Sequence, residues 1–146
     1  MRILPPLLWI SMLGLIGAAY GIGWGPHLLP ESWRWPGIAI VAIGMAVTIA
    51  ASRQFHRVRT NINTFRAPDT LVTNGLFAIS RNPMYLGFCV SLLGAAVFAN
   101  RLSALAPAAL FFLVCQFYYI PFEERAAERV FGEPWRGYAR RVRRWI

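Results

Sequence analysis

Four long runs without a charged residue restrict the fold of this chain more than any other feature. They occupy residues 3–24, 36–52, 83–99 and 102–122. A helix needs about 20 apolar residues to cross the hydrocarbon core of a bilayer, with about 17 to 25 in range. We therefore predict an all-α integral membrane protein of one domain, with about four transmembrane helices. Only two residues separate the third run from the fourth, which predicts a tight helical hairpin there.

Charged residues are few and unequal in sign. They make up 14% of the 146 residues, against about 25% in a typical soluble domain. They comprise 15 arginines, no lysine and six acids, for a net charge of +9. Such a balance also occurs in nucleic-acid-binding proteins, but here the arginines lie between apolar runs. We therefore expect membrane lipids as partners and no nucleic acid.

The arginines also predict an orientation. With four spans, the N-terminus, residues 53–82 and the tail share one side and carry 13 arginines, whereas the other side carries Arg34 and Arg101. Because arginine accumulates in cytoplasmic loops, both termini and the middle loop are predicted to be cytoplasmic. The all-arginine composition and the short loops are compatible with a bacterial inner membrane.

The middle loop contains a turn signal. Asn74 and Gly75 stand between short apolar segments, and Asn-Gly in this setting favours a short β-hairpin. Two strands alone are marginal in water, so such a hairpin would have to lean on the helices. A plain surface loop is the alternative.

Two further patterns concern helix faces. In the tail, apolar residues at spacings of 3 and 4 predict a C-terminal amphipathic helix at the membrane interface; they are Trp135, Tyr138, Val142 and Trp145. In the first run, small residues at helical spacing predict close helix packing; they are Gly14, Gly17, Ala18 and Gly21.

The cysteines lie inside apolar runs and show no ligand spacing, so no metal site is predicted.

An acidic pair stands where the fourth run ends. Glu123 and Glu124 can simply pair with Arg125, Arg129 or another arginine of the same side. However, Gln116, Tyr119 and Glu123 follow one another at spacings of 3 and 4, which places them on one helix face. An amide, a phenol and a carboxylate on one face indicate that this helix end lines a polar site.

Residues 81–87, Arg-Asn-Pro-Met-Tyr-Leu-Gly, begin the third run on the same predicted side. Asn82 can cap the helix and Pro83 suits its first turn. Arg81 beside the open helix N-terminus also suits an anion. The aromatic rings of Phe77, Tyr85 and Tyr119 can stack on a base or face a cation. We therefore predict that residues 81–87 and the acidic pair form two walls of one ligand site.

The sequence resembles a known family over about residues 69–143. Residues 70–87, Thr-Leu-Val-Thr-Asn-Gly-Leu-Phe-Ala-Ile-Ser-Arg-Asn-Pro-Met-Tyr-Leu-Gly, are followed in order by a helical hairpin, the acidic pair and residues 131–142, Phe-Gly-Glu-Pro-Trp-Arg-Gly-Tyr-Ala-Arg-Arg-Val. This order resembles the isoprenylcysteine carboxyl methyltransferase and phospholipid methyltransferase superfamily. The resemblance implies two N-terminal spans in residues 1–59 and, in residues 60–146, a core that binds S-adenosylmethionine and methylates a lipophilic small molecule or lipidated substrate.

The resemblance also implies roles for particular residues. Leu71 and Val72 would shape the adenine end of the cofactor site, with Phe77 nearby. Asn82, Pro83 and Tyr85 would contact the amino-acid end, where the charge of Arg81 already predicts binding of a carboxylate, and Glu123 would hold the cofactor. Tyr85 and Tyr119 are the candidates for catalytic residues beside the methyl acceptor.

Three residues depart from the family pattern. Asn82 replaces a histidine and Phe77 replaces a tyrosine. Tyr119 stands where the carboxyl methyltransferases have an arginine that addresses the substrate carboxylate. The acceptor therefore stays open between an isoprenylcysteine carboxylate, a phospholipid amine and a small apolar thiol. A non-catalytic membrane scaffold or a small transporter is the alternative from another class, and the oligomeric state is not predicted.

Overall fold

Residues 3–57 and 70–146 are described by the computed structural model, and every regular element within them is helical. The α-helices are α1 (Pro5–Gly21), α2 (Pro36–Arg57), α3 (Pro83–Ala99), α4 (Leu105–Val114), α5 (Ile120–Phe131) and α6 (Glu133–Arg141). Short 3₁₀ turns cover Glu31–Trp33, Gly75–Ala78 and Leu102–Ala104, and a π-helical turn, Cys115–Tyr119, joins α4 to α5. The predicted all-α class is confirmed.

Within the described residues, two helical stretches are long and apolar enough to cross a membrane. They are Glu31–Arg57 and Leu102–Phe131. The other two apolar helices, α1 and α3, have 17 residues each, which is the lower limit for a span. Four transmembrane helices thus stay a prediction, while two candidate spans are present.

Helices α2 and α3 form the closest contact in the bundle, through two pairs of glycines. A Cβ atom on Gly44 would lie 2.6 Å from the carbonyl oxygen of Gly87, and one on Gly37 would lie 2.6 Å from that of Gly94. Small residues of this kind let two helix backbones touch. The Thr48 hydroxyl strengthens the contact by donating to the carbonyl of Met84 at 3.3 Å. The start of α3 is therefore fixed against α2.

Close packing through the glycines of α1 is not observed, so that prediction was wrong. A Cβ atom added to Gly14, Gly17 or Gly21 would meet no neighbouring atom of the described chain within 4 Å. Helix α1 is instead held by Trp9, whose indole N–H donates to the Ser91 hydroxyl at 2.9 Å. Larger side chains of α1, among them Met12 and Ile16, make the contact with the core instead, and Gly17 lines an open cavity between α1, α2 and α3.

The predicted β-hairpin at Asn74 and Gly75 is also wrong, because the chain forms a 3₁₀ turn there. Gly75 has a positive φ of 57°, and the Gln54 side-chain amide donates to the Asn74 carbonyl at 2.6 Å. The turn buries Phe77 against Ala51. Asn-Gly supplies the positive φ for either structure, and the burial of Phe77 on α2 decides between them.

The tail forms an amphipathic helix that is shorter than predicted, and its apolar side chains pack on the protein. Helix α6 ends at Arg141, before Val142. The Tyr138 hydroxyl is buried and donates to the Phe77 carbonyl at 2.7 Å. The Trp145 ring stacks on Phe112 with 5.0 Å between centroids. The aromatic face predicted for the lipid interface is thus used to attach the tail to the bundle.

Candidate functional site

The first wall of the predicted site is the start of α3. Asn82 stands at the N-cap position, but its side chain makes no capping bond, so the predicted capping role is wrong. The Asn82 amide instead donates to the carbonyl oxygen of Arg144 at 3.0 Å. Pro83 occupies the first turn of α3 as predicted. The side chain of Asn82 therefore ties the start of α3 to the C-terminal residues.

Arg81 and Arg144 share one carboxylate. The Arg81 guanidinium lies 3.0 Å from Glu124 Oε1, and Arg144 Nη2 lies 2.6 Å from Glu124 Oε2. The ordinary ion pair expected for Glu124 is therefore present, with partners other than Arg125 and Arg129. With Glu123 included, the formal charges of this cluster cancel, so the open N-terminus of α3 is the feature that favours a further anion here.

The Nε atom of Arg81 is a candidate donor for that anion. It is buried and has no hydrogen-bond partner among the described residues. The guanidinium lies over the Trp135 ring, with 5.7 Å from Cζ to the ring centroid. A buried donor without a partner is costly, so a ligand that accepts from Nε would remove that cost.

The second wall meets the first through Tyr85 and Glu123. The Tyr85 hydroxyl donates to Glu123 Oε1 at 2.7 Å, across 38 positions of the sequence. The rings of Tyr85 and Tyr119 are nearly parallel, with 6.1 Å between centroids. The Tyr119 hydroxyl donates to the carbonyl of Ile3 at 2.8 Å. Three predicted site residues thus form one cluster of a carboxylate and two phenols.

Gln116 does not share this cluster, contrary to the predicted common face. Its side-chain oxygen accepts from the Trp145 indole N–H at 2.8 Å. The reason is the π-helical turn, in which the Ile120 N–H bonds to the Cys115 carbonyl five residues earlier. The extra residue in this turn breaks the regular spacing. Pro121 is the sequence signal for it, because proline lacks the N–H that an α-helix needs at this position.

Val72 and Phe77 belong to a separate cluster on α2. Both are buried there together with Ala51, and the rings of Phe55 and Phe77 lie 4.8 Å apart. Leu71 is half-buried beside them. These residues, predicted for the adenine end of a cofactor, border the start of α3 on the side of α2.

Tyr138 connects this second cluster with the charged wall. Its hydroxyl bonds to the Phe77 carbonyl, as described above, and burial raises the pKa of Tyr138 to about 12, although the nearby positive charge of Arg81 acts in the opposite direction. The phenol is therefore neutral at ordinary pH and remains a hydrogen-bond donor. The pattern in the sequence identified Tyr138 as part of an apolar face and missed this structural role beside the site.

The chain is similar to known methyltransferases. The family model described as phospholipid methyltransferase matches residues 33–134. Two rice proteins, from Oryza sativa subsp. indica and subsp. japonica, are each named probable protein-S-isoprenylcysteine O-methyltransferase. Each is 30% identical over 125 residues, which cover 78% of this chain and 62% of the rice protein. The chain thus spans less than two thirds of their length, and no solved structure matches it.

Proposed function

The chain belongs to the phospholipid methyltransferase family, and we propose that it transfers a methyl group from S-adenosylmethionine to a lipophilic acceptor at a membrane surface. The observation that carries the proposal is the contact between the two walls, Tyr85 to Glu123 at 2.7 Å. The matched residues 33–134 include both walls. We further propose four membrane spans, with both termini and the site in the cytoplasm, because of the unequal distribution of arginine.

The residues of the two walls fit the chemistry of the methyl donor. A sulfonium is a cation, and cations are favoured by a carboxylate and by aromatic faces; Glu123, Tyr85 and Tyr119 supply these groups. The amino-acid part of the donor carries a carboxylate, for which Arg81 supplies a buried Nε donor. Asn82 and Pro83 would line this end of the donor. Leu71, Val72 and Phe77 would flank its adenine end.

When bound, S-adenosylmethionine supplies an electrophilic methyl group, so the protein need not supply a covalent nucleophile. The walls contribute alignment, which lowers the entropic cost of bringing two reactants together. Tyr85 and Tyr119 are 6% and 2% exposed, so the cluster also excludes water. Glu123, oriented by the Tyr85 hydroxyl, would stabilise positive charge on the donor until the methyl group leaves.

The acceptor can be narrowed by the names of the similar proteins and by Tyr119. The rice proteins are named for an isoprenylcysteine carboxyl group and the family for phospholipids. Tyr119 stands at the position of the carboxylate-binding arginine, and its hydroxyl bonds to the Ile3 carbonyl. A neutral amine or a thiol therefore competes with a carboxylate as the acceptor in this proposal.

Methyl transfer from radiolabelled S-adenosylmethionine tests the function. The purified full-length chain in detergent is offered a farnesylated cysteine, a phosphatidylethanolamine and a long-chain thiol, and calorimetry measures binding of the methyl donor. We expect saturable binding that Glu123→Gln weakens at least tenfold. Glu128→Gln is the matched control, because Glu128 pairs with Arg136 on the exposed surface. Absence of donor binding by the unmutated chain refutes the proposal and favours a scaffold or a transporter.

A further inference from the structure

The last five residues, 142–146, form a strap across the site, which we call the C-terminal strap. The Arg143 carbonyl accepts from the backbone N–H of Arg81 at 3.0 Å. The Arg144 carbonyl accepts from the Asn82 amide at 3.0 Å and from the Ser80 hydroxyl at 3.4 Å. The backbone of the strap is therefore bonded to the residues immediately before α3. The strap itself, residues 142–146, lies beyond the part of the chain matched by the family model.

The side chains of the strap reach the other wall. The Arg144 guanidinium contacts both oxygens of Glu124, Nη2 to Oε2 at 2.6 Å and Nε to Oε1 at 3.2 Å. The Trp145 indole N–H bonds to the Gln116 side chain on the π-helical turn. Two parallel charge-assisted hydrogen bonds of this kind fix geometry more firmly than a single contact. One residue, Arg144, thus joins the start of α3 to the beginning of α5.

We propose that Arg144 is a positioning residue for the methyl-donor site: it holds the two walls at the separation that donor binding requires, without touching the donor. The inference rests on the proposed function. Asn82, held by the Arg144 carbonyl, lies one helical turn before Tyr85. Glu124, held by the Arg144 guanidinium, adjoins Glu123. Arg144 therefore supports the contact between Tyr85 and Glu123 from both ends, together with the direct ion pair of Arg81 with Glu124.

The position of the strap determines which of the two ligands should be affected by loss of the Arg144 side chain. The strap is bonded to residues at the donor's predicted amino-acid end. Tyr119, the candidate beside the acceptor, contacts Ile3 on the N-terminal side and the rings of Tyr85 and Tyr118. Loss of the Arg144 side chain should therefore weaken donor binding more than acceptor binding.

Arg144→Gln in the full-length chain tests this inference, with S-adenosylmethionine as the calorimetric probe. We expect the Kd of the donor to rise about tenfold and the KM of the acceptor to change less than twofold. Arg144→Lys should recover part of the affinity, because lysine keeps the charge but cannot make the forked contact. The matched control is Arg141→Gln, which removes one exposed arginine from the end of α6 and should leave both constants unchanged.

Hydrogen exchange gives a second measurement that needs no ligand. The Arg81 N–H is bonded to the strap, so its exchange should become faster in Arg144→Gln and stay unchanged in Arg141→Gln. If the unmutated chain binds the donor and Arg144→Gln binds it equally well, the inference is refuted. Equal losses in donor Kd and acceptor KM also refute it, because they indicate general destabilisation. If the unmutated chain does not bind the donor, the proposed function fails, and unchanged exchange at Arg81 then overturns the strap contact as well.

Discussion

The hydroxyl of Tyr85 is the smallest group whose removal tests the site. It donates to Glu123 Oε1 at 2.7 Å, and Tyr85 is only 6% exposed. A hydrogen bond to a charged group contributes about 1.5–3 kcal/mol, and tenfold in an equilibrium constant corresponds to about 1.4 kcal/mol. Because this bond orients Glu123 for the donor, its loss in Tyr85→Phe should lower kcat/KM for methyl transfer by up to this free energy, about 10- to 100-fold. The ring remains, so its stacking on Tyr119 is preserved.

The control for this variant makes the same chemical change at a neighbouring exposed position. Tyr118 is 51% exposed, and its ring contacts Tyr119 edge-on at 5.2 Å. Tyr118→Phe should retain kcat/KM within twofold. Initial rates of label transfer, with thermal unfolding to confirm the fold, provide the measurement. An unchanged rate in Tyr85→Phe, or an equal defect in Tyr118→Phe, would show that the contact with Glu123 does not contribute to the reaction.

Three further predictions concern stability. Gly44→Ala places a methyl group against the backbone of α3 and should lower the free energy of unfolding by about 1–3 kcal/mol. Gly14→Ala places it in open space and should leave that free energy unchanged. Denaturation in detergent measures both variants. Asn100 is 1% exposed and is bonded to the backbone of the first loop. Asn100→Ala should therefore lower the free energy of unfolding by about 2 kcal/mol or more, and an unchanged Tm would contradict this. The pKa of Tyr138 in the folded chain is about 12, above its ordinary value near 10. The stability gained from the neutral phenol is therefore complete below pH 10 and is lost as the pH rises through 12. In Tyr138→Phe, the free energy of unfolding should not show this fall between pH 10 and 12.

Helix positions follow directly from the sequence where local chemistry sets both ends of a helix. The predicted third run, residues 83–99, coincides with α3 because Pro83 starts it and Asn100 ends it with a positive φ of 50°. The second run was predicted to end at Ser52, but α2 continues to Arg57. Charge marks the end of an apolar surface, whereas a helix ends where its backbone bonds end.

Tertiary contacts explain the predictions that failed. Asn74 and Gly75 suit a hairpin or a 3₁₀ turn equally well, and contacts with α2, through Phe77 and Gln54, distinguish the two. Periodicity in the tail predicted one helical face, of which only Trp135 and Tyr138 lie in α6, and it could not tell a lipid surface from a protein surface. The two walls were correctly placed at one end of the bundle, since Tyr85 and Glu123 are in contact. Their assignment to a cofactor stays a prediction.

Pro121 is expected to lower the stability of the chain while it keeps Tyr119 in position for activity. It lies where α4 continues into α5 through the π-helical turn, and proline within a helix costs about 3 kcal/mol relative to alanine. Pro121→Ala restores the missing N–H, so the turn can relax to α-helix. That relaxation would rotate Tyr119 relative to Glu123 and separate its ring from Tyr85.

We therefore expect Pro121→Ala to raise the Tm while lowering kcat/KM at least tenfold, the direction typical of strain retained at a functional site. The comparison with Pro107→Ala isolates the effect of position, because Pro107 lies near the start of the same helical stretch, away from the π-helical turn. Higher Tm with full activity in Pro121→Ala would show that the π-helical turn does not position Tyr119. Lower Tm would show that the turn is stabilised by tertiary packing rather than imposed by proline. Loss of activity with a higher Tm is the only outcome that assigns both the turn and the orientation of Tyr119 to this one residue.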